Sequence, residues 1–387
     1  MKPDSDFPSD ARIDVQTEEG RVTGRIVLAG GGHAHLQVVE SFGRRPLAGW
    51  QIVLVSPDEK VIYSGMLSGL LAGHYRREEV EIDLPALCRA NSVDFIQGRG
   101  DGIDRGRRRL LLDDGRELSF DLLSLDIGGA FVPDSITGAR DHAIPVRSID
   151  RLLAAAVGNG SEDERFTVIG GGAGGVETAL AVHHHAVLPG LPPANRVRLV
   201  TAGALLEEKP DGLRRQIRKL FETRGISLIE HAPVAEISAT EIVLADGRRF
   251  RSDATLLAAG PTPHGWLAHT GLALEDGFIA IRQTLQSVSD PDIFAAGDCA
   301  TLAGARQPKS GVSAVRAGAI LAENLHLRAA NEQLRAWHPP ARQLMLLASG
   351  DQRAVASWGM FWCAGRWVWR IKDRIDRRWV KRFTIFS

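Results

Sequence analysis

Two stretches decide the fold: residues 25–40, RIVLAGGGHAHLQVVE, and residues 166–181, FTVIGGGAGGVETALA. In each, a short apolar run of strand character meets three consecutive glycines and then an apolar pattern of helical period. A second β-rich run follows each one, QIVLVSP at 51–57 and VRLVTAG at 197–203, so the order strand, glycines, helix, strand occurs twice. A strand that turns straight into a helix presents unpaired backbone N–H groups and the positive end of the helix dipole. Only residues without a β-carbon let a phosphate anion reach them. The fingerprint positions are Gly30, Gly32 and His35 in the first loop, and Gly170, Gly172 and Gly175 in the second. His33 and Ala34, just before the last of the first set, are counted with the same anion site. His35 stands where a glycine is usual; it is expected to loosen the packing of helix on strand and to be partly exposed.

The doubling continues outward. Residues 109–130 hold an apolar strand, the Asp114-Gly115 turn, a polar strand and then FDLLSLDIGG; residues 241–260 hold IVL, the Asp246-Gly247 turn, a polar strand and SDATLLAAG. Asp-Gly between strand patterns predicts a hairpin closed by a two-residue turn of the primed type. Each half thus appends a hairpin to a βαβ unit and returns through a strand ending in glycine, at Gly128 and Gly260, which are counted with the binding residues. The fold expected is α/β: two Rossmann-like dinucleotide-binding domains, each a three-layer ββα arrangement.

The 387 residues accommodate two or three such units. Lys plus Arg number 47 and Asp plus Glu 47, which excludes the global field that nucleic-acid binding needs. Cys88, Cys299 and Cys363 are too scattered for a disulfide framework or a zinc knuckle. His183, His184 and His185 point about 100° apart on a helix, so they cannot converge on one ion and no metal is expected. Residues 1–24 read as an acidic disordered tail without a secretory signal. No run approaches the ~18 to 20 apolar residues of a membrane-spanning helix. A cytoplasmic location is expected, with attachment at most to the inner face of the cell membrane.

Residues 289–300, SDPDIFAAGDCA, supply a third motif that ends in Gly297-Asp298. Together with the two glycine loops it resembles the closing motif of the pyridine nucleotide-disulfide oxidoreductases, and the resemblance covers roughly residues 25–325. It implies FAD as cofactor in the first loop, with Asp298 at the ribityl and phosphate region, and NAD(P)H as substrate in the second. Members that reduce disulfides carry a cysteine pair beside the flavin; residues 61–75, VIYSGMLSGLLAGHY, contain none. The remainder is similar to the type II NADH dehydrogenase branch, and within it to the flavoprotein modules fused to selenide, water dikinase. By that resemblance Glu177 lies near the nicotinamide. The helix beginning within residues 307–325, QPKSGVSAVRAGAILAENL, aims the N–H groups of Ser310, Gly311 and Val312 at the flavin, and Lys309 adds charge at the flavin and acceptor pocket. Glu177 and Lys309 are the candidate catalytic residues; a first-turn helix glutamate and a solvated lysine are the plain alternatives. Ribose recognition usually needs an acid at the end of the second strand, where Ser56 and Thr201 stand instead. Asp58 is within reach of the FAD ribose, and Thr201 leaves NADH or NADPH open.

Five of the eight tryptophans, Trp358, Trp362, Trp367, Trp369 and Trp379, fall in the last 30 residues, among basic side chains. Trp367, Ile371, Ile375, Trp379 and Phe383 recur every four residues, with Arg370, Lys372, Arg374, Arg377, Arg378 and Lys381 around them. Such a helix suits the headgroup boundary of an anionic leaflet; packing on its own domain or on a second subunit, as a homodimer, is the alternative. The units expected are an FAD domain at 25–148 and 278–335, an NAD(P)H domain inserted at 149–277, and a small C-terminal unit, α+β or helical, at 336–387. The expected activity is hydride transfer from NADH or NADPH to FAD and onward to a quinone-like acceptor. A redox protein or a sulfur or selenium compound as acceptor, or a low-turnover flavin-bound sensor or assembly factor, are the alternatives.

Overall fold

A computed structural model describes residues 23–130, 135–157, 163–186, 196–305, 309, 311–340 and 342–385. The expected tail of residues 1–24 lies outside these except for its last two. Because Gly24–Ala29 is apolar from Ile26 onward, that part belongs where both faces are covered. It sits centrally in a five-stranded parallel sheet whose order is Ile293–Ala295, Leu122–Leu125, Gly24–Ala29, Trp50–Ser56, Asp94–Gln97. Phe166–Ile169 holds the same place in a second parallel sheet, ordered Ala143–Pro145, Ala254–Leu257, Phe166–Ile169, Val197–Val200, Ser227–Ile229. Ile26, Leu28, Val168, Leu199 and Leu256 are fully enclosed.

A three-stranded antiparallel meander accompanies each sheet: Gly100–Asp104, Arg109–Leu112, Glu117–Ser119, and Val234–Ile237, Glu241–Leu244, Arg249–Arg251. These contain the two Asp-Gly hairpins, but the turn differs from the two-residue one expected. Leu112 N donates to Arg116 O at 2.9 Å and Gly115 N to Leu112 O at 3.0 Å, closing a three-residue loop in which only Gly115 has positive φ, +86°. Leu244, Arg248 and Gly247 repeat it. The longer loop spares both aspartates a positive φ, and Asp114 accepts from Arg116 N at 3.0 Å and Nε at 2.7 Å.

The chain passes between the sheets twice, side by side, with Ala130 N to Thr262 O at 2.8 Å and Thr262 N to Ala130 O at 2.7 Å. This crossing corrects the expected unit limits of 148/149 and 277/278. Ala143–Pro145 pairs into the second sheet, while Leu267 and Leu272, assigned to the inserted unit, are buried in the first core. Short apolar segments announce burial but not which core receives them. The helix Gly311–Ala329 then lies along His33–Arg44, so close that a β-carbon on Gly318 would stand 3.0 Å from Ala34 Cα.

The C-terminal unit is α+β: strands Met345–Ala348, Ala354–Trp358 and Phe361–Gly365, then the helix Arg366–Phe383. The stripe expected on that helix winds, because a four-residue step overshoots a 3.6-residue turn by about 40°. Trp367, Ile371 and Ile375 are exposed, Trp379 is half-buried and Phe383 is enclosed in the first core. The packed face is Val368, Lys372, Asp376, Val380 and Phe383. Lys372, expected on the basic rim, is buried instead; it pairs with Asp376 at 2.6 Å and donates to Gly65 O. Burial works against its charge, but Glu177, Asp376 and Asp373 outweigh it and hold the ammonium above its usual value. Burying Val380 or Phe383 contributes about 1.5–3 kcal/mol each, whereas breaking the buried pair costs more. Lys372→Met should destabilise the protein by about 3–5 kcal/mol, read as a lowered Tm, and adding Asp376→Leu should recover part of the loss. A single variant as stable as the wild type would show that the pair is not held away from water.

Candidate functional site

The first loop turns at Gly30, φ +99°, where a β-carbon would meet Asp126 O at 2.4 Å. Only glycine allows that approach between the loop and the end of the adjacent strand. Asp126 is the residue that sequence reasoning missed. Its buried Oδ2 accepts from Ala34 N at 2.8 Å and His35 N at 3.3 Å, capping the helix from a different strand. Burial pushes the carboxyl up to about 7, against the pull of the two N–H groups; Asp298 adds to the rise and Arg147 offsets it.

His35 departs from expectation. The ring is fully buried, with Nδ1 2.7 Å from Gly30 O and Nε2 2.8 Å from Ser124 Oγ. It ties helix to strand rather than loosening them, since both ring nitrogens find partners. Burial pushes it down to about 4, so the imidazole is neutral, with its proton on Nδ1 facing the carbonyl.

The second loop keeps the same turn with smaller parts. A β-carbon on Gly170, φ +128°, would lie 2.4 Å from Ala258 O, and one on Gly175 would lie 1.9 Å from Gly170 O. Ala258 thus occupies the place of Asp126, and Gly175 that of His35. Gly172 and Gly174 face open space. Ser56, at the end of its second strand, and Thr201, just after the end of the other, are both buried beneath their loops, 3.3 Å and 2.4 Å from β-carbons placed on Gly31 and Gly171. Asp58 is exposed in the loop beyond. Among the described residues, the N–H groups of Gly31, Gly32 and His33, and of Gly171, Gly172 and Ala173, meet no acceptor. Both loops therefore fit the phosphates of an adenine dinucleotide.

Gly297, φ +71°, closes the first site from the other side, with a β-carbon position 2.4 Å from Asp126 Oδ1. Buried Asp298 pairs with Arg147 at 2.8 Å, and a β-carbon on Gly128, φ +66°, would stand 3.3 Å from the same guanidinium. Gly30, Gly32, Ala34, Gly128, Gly297 and Asp298 are thus brought together. Half-buried His33 adjoins them, its Nε2 3.4 Å from Ser64 Oγ; burial, with Arg147, lowers it to about 4. Lys309 shares a cavity of about 20 Å³ with Gly297, Asp298 and Trp337. Its Nζ donates to Ala300 O and to Thr301 Oγ1 at 2.7 Å, and lies 3.9 Å over the Phe278 ring. Burial keeps it below its usual value. Gly311 opens the helix Gly311–Ala329 against Ser64, Val312 is exposed, and Ser310 lies outside the described residues. Gly260 has nothing within 4 Å of its β-carbon position.

Glu177 is half-buried and tied to other elements rather than standing only as a first-turn helix residue. Its Oε1 accepts from Ala348 N at 2.7 Å and Ser68 Oγ at 3.2 Å, joining the second-loop helix to the 61–75 stretch and the C-terminal sheet. Burial pushes it above the usual carboxylate range, with Lys372 pulling the other way. Cys299, beside Asp298, is buried and unpaired by disulfide, its thiol pushed up to about 12 by burial.

The family model of the pyridine nucleotide-disulphide oxidoreductases matches residues 24–318. The chain belongs to this family. It is 26% identical over 296 residues to demethylphylloquinone reductase NdbB of Synechocystis, 71% of each chain. It is 32% identical over 292 residues to putidaredoxin reductase CamA of Pseudomonas putida, 71% of this chain and 66% of that one. The fold is shared with the sulfide:quinone oxidoreductase of Aquifex aeolicus, TM-score 0.77 and 16% identity, over 94% of this chain and 92% of the other. It is also 22% identical over 300 residues to the type II NADH:quinone oxidoreductase of Staphylococcus epidermidis, 71% of this chain and 74% of that one. It is an NAD(P)H-dependent flavoprotein oxidoreductase, with FAD as cofactor.

The open space at Gly172 makes a clean test of the second loop, because a methyl there touches no protein atom within 4 Å. Gly172→Ala should keep Tm and FAD content, while the NADH concentration for half-maximal flavin bleaching rises at least about tenfold, about 1.4 kcal/mol. Unchanged bleaching would place the pyridine nucleotide elsewhere.

Proposed function

We propose that the protein passes electrons from NAD(P)H to a quinone dissolved in a membrane on which it docks through its C-terminal unit. The observation that carries this is an exposed apolar surface concentrated in that unit. Met360 and Phe361 at the hairpin tip are 77% and 72% exposed, and Trp358, Trp367, Ile371 and Ile375 are exposed as well. Isolated exposed apolar residues are ordinary; several large ones on one small unit mark an interaction surface. Arg366, Arg370, Arg374, Arg378 and Lys381 stand exposed among them, which suits anionic headgroups. Among the described residues no helix is long and apolar enough to cross a membrane. The inner face of the cell membrane, with a cytoplasmic body, is the location this reading implies.

FAD, when bound, accepts a hydride from the nicotinamide and stores two electrons, so that donor and acceptor need not meet. The chain's residues supply the rest. The Gly30–Gly32 turn and Gly297-Asp298 hold the cofactor. The Gly170–Gly175 turn holds the reductant, and Glu177, fixed by Ala348 and Ser68, orients the nicotinamide side. Lys309 and the N-terminus of the helix beginning at Gly311 favour negative charge on the reduced ring. The likeness to demethylphylloquinone reductase supports a quinone as acceptor; the likeness to putidaredoxin reductase supports a redox protein as the second reading.

Flotation with phosphatidylglycerol-rich vesicles tests the proposal. The wild type should float, and Trp367→Glu with Ile371→Glu and Ile375→Glu should remain below, with anaerobic bleaching by NADH unchanged. Turnover of a long-chain quinone in the vesicles should then drop about tenfold or more, while a water-soluble short-chain quinone is reduced as before. Equal flotation of both proteins defeats the membrane claim, and turnover with a ferredoxin-type protein but no quinone favours the second reading.

A further inference from the structure

The two halves of this protein repeat one architecture, so a difference between matching positions isolates what one half does that the other does not. The largest is at the helix N-termini. In the second half small residues meet, Gly175 on the helix and Ala258 at the strand end. In the first half two buried polar residues stand in those places, His35 and Asp126. Asp126 takes the N–H groups of Ala34 and His35, whose counterparts at Gly174 and Gly175 have no carboxylate beside them. It also fills the space next to Gly32 and Gly297, whose β-carbon positions lie 2.2 Å and 2.4 Å from its oxygens. The protein has thus built a carboxylate into the floor of the very cradle that takes a diphosphate.

We infer that Asp126 couples FAD binding to the uptake of one proton: the diphosphate and an ionised Asp126 cannot share one helix terminus, so the cofactor binds the form in which Asp126 is protonated. The inference rests on the first cradle being the FAD site. Two like charges facing one another away from water disfavour double ionisation. Two backbone donors to one oxygen leave the other free to carry the proton.

The surroundings single out Asp126. On the helix that Asp126 caps, His33 and His35 are both lowered to about 4 by burial and so neutral at and above pH 6. From the closing motif face it Asp298, paired with Arg147 at 2.8 Å, and Cys299, a neutral thiol pushed up to about 12. Lys309 lies behind these, lowered by burial, and is the other group whose titration could weaken anion binding. Asp126 itself is raised to about 7 before any second anion arrives. The sign follows. Below this value the carboxyl is already protonated and affinity is flat. Above it, binding must draw a proton from solvent, so affinity falls as pH rises, approaching about tenfold per pH unit.

Full-length protein purified with its flavin is dialysed at pH values from 6 to 9, and released FAD is read by its fluorescence. The wild-type dissociation constant should be level to about pH 7 and then climb toward tenfold per unit. Rebinding of FAD at pH 8 in two buffers of different ionisation enthalpy should report uptake of about one proton by calorimetry. Asp126→Asn, which keeps an acceptor for Ala34 and His35 but cannot ionise, should be level throughout and bind FAD more tightly than wild type at pH 9. NADH affinity, set by the half that carries Ala258, should not follow the same slope. A level wild-type profile without proton uptake overturns the inference and leaves the flavin assignment intact. A slope that persists in Asp126→Asn gives the proton to another group, Lys309 first, and overturns it too. Failure to bind FAD at any pH sinks both.

Discussion

The structure depends on a single close approach made twice. A strand ends, the chain turns at a glycine of positive φ, and its α-carbon comes so near the last carbonyl of the neighbouring strand that a β-carbon would stand 2.4 Å away, at Gly30 over Asp126 O and at Gly170 over Ala258 O. That contact sets where each helix begins and aims its free N–H groups outward. The parallel sheets bring the ends of the second strands, Ser56 and Val200 with Thr201 just after it, beneath the same loops. What lies around the loops, Asp298 and Arg147 in one half and Glu177 in the other, is positioned by that geometry rather than by its own sequence neighbourhood.

Charge is then distributed unevenly over two similar frames. In the second half the cradle is lined by small groups and left open at Gly172 and Gly174. In the first, His35 and Asp126 bring polar bulk into the same volume, with both ring nitrogens of His35 and one carboxyl oxygen of Asp126 finding partners. Buried polar groups are tolerated when satisfied and costly when not, so the two substitutions make sense only together with Ser124 and the Gly30 carbonyl. The C-terminal helix adds a second buried ionic cluster, Lys372 with Asp376, whose field reaches Glu177.

Much of this was legible in the sequence because glycine runs and apolar periods are local. The doubled pattern at 25–40 and 166–181 is enough to expect two βαβ units, and the motif at 289–300, by its resemblance, an interrupted first domain. Three features resisted. Asp126 sits in LLSLDIGG, where an acid at a strand end looks like an ordinary turn residue; only setting it beside LLAAG of the second half exposes it as a replacement for Ala258. His35 reads in sequence as a partly exposed helix residue because its partners, Gly30 O and Ser124 Oγ, come from the loop and from another strand. Lys372 was read as part of a basic rim because its burial depends on where the helix docks. In each case the deciding contact is distant in sequence or set by packing, which residue type and spacing do not encode.

The side-by-side crossing at Ala130 and Thr262 carries a consequence for synthesis. The second sheet has all its strands once Ala254–Leu257 has been made, whereas the first waits for Ile293–Ala295. Since domains assemble as units while the chain emerges from the ribosome, the inserted domain is completed before the one that encloses it. The earlier strands of the enclosing sheet must meanwhile stand without their last edge. A nascent chain halted between those two points would hold one sheet with all its strands hanging from another that lacks its edge.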